Sequence, residues 1–206
     1  FKRFGEADIE LGNAVVLIGP NNSGKTTTLQ ALALWDVGLR HWNAKRGGKD
    51  SPEKRPGVTI NRKDLISIPI PDANLLWRDL NVRHVERVPD PENSGKMRQQ
   101  TRNVRIDIAV EGITEGAPWS CGFEFDYSNE ESFVCRPSRL PGFEGRPVKD
   151  AKFAPVPDGA GRVRLAFLPP MSGLAATEPK WEPGRIQVLL GEGQDEVFRE
   201  PGADVA

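Results

Sequence analysis

The chain has 206 residues, 37% of them hydrophobic and 28% charged, with a formal net charge of −1. That is enough chain for a real core and a globular balance of residues. It excludes a disordered polyelectrolyte and a polycation made to coat nucleic acid. His41, His84, Cys121 and Cys135 show no zinc-ligand spacing, and Cys121 and Cys135 are expected as reduced thiols on neighbouring strands. No apolar run is long enough to cross a bilayer and no signal peptide is visible. A cytoplasmic chain without a membrane partner is therefore expected. It opens on Phe1 rather than Met, so a few preceding residues are expected to be missing.

In chain order, Ala7-Asp8-Ile9-Glu10-Leu11 alternates apolar and acidic residues, the pattern of a half-buried strand. Gly12-Asn13 is a hairpin turn, and Ala14-Val15-Val16-Leu17-Ile18 reads as a strand buried on both faces. Leu29, Leu32, Trp35, Leu39 and Trp42 then recur at steps of three and four. This spacing predicts one face of a helix from about Lys25 to His41. Residues 43–57 read as a mobile basic loop, within an Arg40–Lys63 stretch that is strongly cationic. Its cations are candidates to touch nucleic acid or a partner's γ-phosphate. Asp72–Leu80 is predicted as a short helix capped by Asp72, and Pro89–Gln100 as a second loop. Val104–Val110 and Trp119–Tyr127 alternate cleanly, and with Phe133-Val134-Cys135 they predict an antiparallel meander over about 102–136 with one buried face. Val163–Leu168 is expected as a further strand, and the acidic tail from about Gly184 as helical.

Gly19-Pro20-Asn21-Asn22-Ser23-Gly24-Lys25-Thr26 completes the pattern G-x4-G-K-[ST] between a predicted strand and a predicted helix, the context this phosphate-binding pattern requires. Glycines allow backbone N–H groups to turn inward as an anion nest, and the helix N-terminus adds partial positive charge. The expected nucleotide contacts are Gly19, Asn21, Asn22, Ser23, Gly24, Lys25, Thr26 and Thr27. Lys25 is expected at the β- and γ-phosphates, and Thr26 as the ligand of Mg²⁺. ATP and Mg²⁺ are the expected cofactors. A GTPase is rejected, since Asp158-Gly159-Ala160-Gly161 and Asn61-Arg62-Lys63-Asp64 fit its motifs only in the wrong order and with a displaced lysine.

The opening Phe1-Lys2-Arg3-Phe4, the hairpin Ile9–Ile18 and the Gly19–Thr26 loop together resemble the amino-terminal lobe of RecF-, SMC-, SbcC- and OLD-type ATPases, the ABC-like branch of P-loop proteins. The close resemblance covers Phe1 to about Leu32. It implies an α/β fold with parallel core strands beside the antiparallel meander, and a strand from Val163 beneath the P-loop strand. It also implies a single amino-terminal lobe over residues 1–206, with a second ATPase head or a missing carboxy-terminal lobe as partner, and DNA as substrate in repair or anti-phage defence. These families carry a serine-glycine signature and an apolar strand ending in Asp-Glu. Neither is present, although Leu190–Gln194 resembles a signature loop without its serine, so the segment is expected to be inactive alone. A nucleotide-sensing module that binds ATP without hydrolysis is the alternative, and a transporter ATPase a third reading.

Overall fold

The computed structural model describes residues 1–47, 57–65, 67–89, 96–143, 146 and 148–166. Helix α1 runs Lys25–Arg46 and ends on Gly47, whose N–H donates to the Asn43 carbonyl. It is longer than its apolar period implied, because Asn43–Arg46, assigned to the basic loop, continue it. Lys45 and Arg46 fall in the last turn, where cations meet the negative end of the helix dipole. The buried stripe contains Ala33, Leu34, Trp35, Gly38 and Leu39, while Leu29 is exposed.

The main sheet has four antiparallel strands, β1 (Val58–Asn61), β4 (Arg105–Thr114), β5 (Ala117–Asn129) and β6 (Ser132–Pro137), in the order β1-β6-β5-β4. The predicted meander is present, with Ile106 opposite Phe125, Ile108 opposite Phe123 and Val110 opposite Cys121. Its β4–β5 turn places Glu115 and Gly116 at positive φ, the pair that a two-residue hairpin needs. One face carries Phe123, Phe125, Phe133 and Cys135, all fully buried, and α1 lies against it. Trp35 donates its indole N–H to the Cys121 carbonyl at 2.8 Å and stacks on Trp119. A Cβ on Gly38 would stand 3.0 Å from the Phe125 ring, so the helix settles on the aromatic face where a side chain is missing.

The opposite face is charged and closed. Glu124, 1% exposed, receives Arg105 at 2.6 Å, Arg136 at 3.3 Å and Arg139 at 3.5 Å, and Arg136 also pairs with Asp126. Burial pushes the Glu124 carboxyl up from its ordinary value, while the three guanidiniums pull it down. Asp72 caps a short 3₁₀ turn, Ala73–Leu76, rather than an α-helix, and a second turn follows at Arg78–Leu80. Asp158–Gly161 forms the short helix α2, with Ala160 in the core and Gly159 against Trp119. Asn61–Asp64 closes a capping box. Both false GTPase motifs therefore have local structural roles.

Two strands appear where a loop or nothing was expected. They are β2 (Arg83–Pro89) and β3 (Met97–Asn103), which pair only with each other. The predicted hairpin Ile9–Ile18 is not formed, and the predicted parallel core is not shown. Residues 7–18 hold no strand, and Ala14–Ile18, expected to be buried, leaves Val16 80% and Ile18 90% exposed. A strand needs a neighbour for its ladder, and this segment pairs with none of β1, β4, β5 or β6. Residues 163–166 are likewise not strand. The rest of that predicted strand, the Gly184 tail and Leu190–Gln194 lie outside the described residues. Among the described residues no helix is long and apolar enough to cross a membrane.

Candidate nucleotide site

The Gly19–Thr26 loop leads directly into α1, and Gly24 takes the N-cap position with φ 101°. No side chain caps the helix start and its first turn contains no acidic residue. The leading N–H groups of a helix lack internal acceptors, so the positive end of α1 is left to an anion. Asn22 is also left-handed, at φ 67°. Together with Gly24 it folds the loop back over the helix end, and Ser23 N–H closes a turn onto the Pro20 carbonyl at 3.3 Å. Gly19 and Ser23 lie close, since a Cβ on Gly19 would meet the Ser23 hydroxyl at 2.9 Å.

Lys25 is half-buried, and its ammonium donates to the carbonyls of Gly19 and Pro20, both at 2.7 Å. The charge sits across the mouth of the loop on two neutral acceptors, which an anionic phosphate would outcompete. Thr26 is exposed, whereas Thr27 and Thr28 are buried and Thr28 also donates its hydroxyl to the Gly24 carbonyl at 3.3 Å. Gly19, Asn21, Asn22 and Ser23 are exposed and Gly24 is buried. All eight sequence-predicted residues therefore stand on one continuous turn at one helix end.

Sequence reasoning did not find what covers Gly24. A Cβ there would be 2.6 Å from the Phe4 ring, so the opening segment is the lid of the loop's inner side. That segment is pinned in turn. Lys2 donates its backbone N–H to the Leu76 carbonyl at 2.8 Å and its ammonium to Gln30 of α1 at 2.7 Å, and Phe1 packs on the core. Burial holds the Lys2 amine below its ordinary value. Lys2 is thus a tether between the opening segment and α1.

Four cations of the Arg40–Lys63 stretch have structural partners. Arg40 pairs with Asp36, Lys45 and Arg46 donate to the Thr59 and Gly57 carbonyls, and Arg62 binds Glu131 at 2.8 Å. Residues 48–56 lie outside the described residues.

Residues 14–74 match the family model of an AbiEii toxin-like AAA domain of type IV TA systems. The match begins at the exposed apolar segment and takes in the loop, α1 and β1. No curated protein and no solved structure matches the chain. The match does not single out the RecF, SMC, SbcC or OLD type. Together with the Gly19–Thr26 pattern it supports a P-loop ATPase-like domain over this stretch of the chain.

Proposed function

We propose that the chain is the ATP–Mg²⁺-binding lobe of a DNA-associated ATPase head of RecF/SMC type, acting in repair or anti-phage defence. The observation that carries the nucleotide reading is the uncapped start of α1 behind a loop whose lysine is held only by neutral carbonyls. Gly19, Asn21, Asn22, Ser23, Gly24 and Thr27 would line the phosphates, and Lys25 would supply the charge-assisted contact. The exposed Thr26 hydroxyl is the residue to hold Mg²⁺, which when bound neutralises charge on the phosphate oxygens. Ala14, Val15, Val16 and Ile18, four of the five apolar residues immediately before this loop, lie exposed. Unpaired backbone and bare apolar side chains there support a lobe that is completed by a second one, contributed by a head partner or by further chain.

A second reading, a nucleotide sensor that binds ATP without hydrolysing it, is favoured by the carboxylates. The buried ones among the described residues, Asp36, Glu124 and Asp126, are each engaged by arginine, and none lies on the loop. Phosphoryl transfer depends on positioning and electrostatics, so a lobe in which no buried carboxylate among the described residues is left to orient water should turn ATP over negligibly. Phosphate release from the purified chain is the test. On the head reading, adding the second lobe restores turnover that rises more steeply than linearly with protein concentration. Steady release by the chain alone, abolished in Lys25→Ala, would contradict the incomplete-lobe reading.

A further inference from the structure

The β2–β3 ribbon has no part in the nucleotide site and none of its residues is buried. A lone two-stranded ribbon is marginal in water, and this one is fixed at its base. Val104 N–H donates to the Val82 carbonyl at 3.0 Å, and the buried Trp77 donates its indole N–H to the Val104 carbonyl at 2.6 Å. The register sorts its side chains onto two faces. Arg83 lies opposite Asn103, Val85 opposite Thr101 and Arg87 opposite Gln99 on one face, and every residue of that face is exposed. It has no carboxylate. The other face holds His84, Glu86 and Arg98, with Arg102 paired to Glu86 at 2.7 Å, and is partly covered.

We propose that the Arg83/Arg87 face of this ribbon docks on B-form DNA, entering the major groove. The groove, about 12 Å wide, admits a two-stranded ribbon, whereas the major groove of an RNA duplex is too narrow for side chains to read. Strands of seven residues extend about 23 Å, or about seven base pairs at 3.4 Å each. Arg83 and Arg87, four residues apart on one strand, are spaced about 13 Å and can meet two phosphates flanking the groove. Gln99, Thr101 and Asn103 then face the base edges with groups that both donate and accept. The exposed Val85 and Met97 offer apolar contact of the kind thymine methyls receive. This gives the DNA association in the reading above a surface, and it depends on no nucleotide.

The test is fluorescence anisotropy of a labelled 20-base-pair DNA duplex with the whole chain, without ATP, over a range of salt concentrations. The expected result is salt-dependent duplex binding. Arg83→Gln/Arg87→Gln weakens it about tenfold or more, with the slope of log affinity against log salt smaller by about 2. Arg98→Gln, on the other face, changes it less than about threefold. Circular dichroism and a melting curve matching those of the unsubstituted chain show that the exposed changes leave the fold intact. The proposal is overturned if the chain does not bind the duplex, or if Arg98→Gln weakens binding as much as the double substitution. Equal binding of an RNA duplex, or of polyglutamate lost in the same double variant, also overturns it, the latter in favour of an acidic protein partner. Any of these failures leaves the phosphate loop untouched, since ATP titration reads that site separately.

Discussion

Gly24 meets two requirements at once. Its φ of 101° is a conformation that residues with a Cβ rarely adopt, and the Phe4 ring occupies the place where a Cβ would stand. Gly24→Ala should therefore destabilise the fold by about 1–3 kcal/mol, read as a lowered melting temperature. Phe4→Ala in the same chain should recover part of the loss, because the clash goes while the backbone strain remains. A double variant no more stable than Gly24→Ala would show that Phe4 does not bear on the loop. The thiols carry a different prediction. Burial pushes Cys121 up to about 11 and Cys135 up to about 12, above the ordinary thiol value. Their contribution to stability is therefore complete below the unfolded value near 8.5–9. It is lost as pH rises toward the folded values, by about 1.4 kcal/mol per pH unit for each thiol. Thermal melts between pH 8 and 11 should show a decline that Cys135→Ala makes shallower. A slope unchanged by that substitution would mean the thiol is not buried in its protonated form.

At the scale of elements, legibility followed burial. The meander was readable because β4 and β5 keep one face in the core, so apolar residues fall on every second position and the register follows. The aromatic side of that pattern predicts its own test. Phe123 is fully buried under α1, and Phe123→Asp would place an unpaired charge there at a cost of several kcal/mol. A soluble variant melting with the unsubstituted chain would mean the face is not a core. The β2–β3 ribbon was hidden for the opposite reason: with no residue buried on either face, RHVERVP and MRQQTRN carry no apolar period. β1 is only four residues long and gives too short an alternation to register. In α1 the first apolar residue of the period, Leu29, is exposed while Leu34 is buried. Periodicity finds the helix, but the helix's neighbours choose the stripe.

For the whole molecule, the sequence motif and the structure agree on the helix end and differ on the strand before it. The Gly19–Thr26 pattern was legible because its chemistry is local: left-handed turns, a free helix start and a lysine six residues after the first glycine. The strand Ala14–Ile18 was predicted from composition, which says what a segment can pair with and not whether a partner is there. Composition alone also made Arg40–Lys63 look like a binding surface. In the fold Lys45, Arg46 and Arg62 of that stretch bind the Thr59 and Gly57 carbonyls and Glu131, while residues 48–56 lie outside the described residues. The central claim is that the loop at the start of α1 binds the phosphates of ATP, and calorimetric titration of ATP–Mg²⁺ into the chain and into Lys25→Ala tests it directly. The account predicts measurable binding to the former and an affinity weaker by about 1.5–3 kcal/mol in the latter, from loss of one charge-assisted contact. Equal affinities, or no binding by the unsubstituted chain, would contradict it.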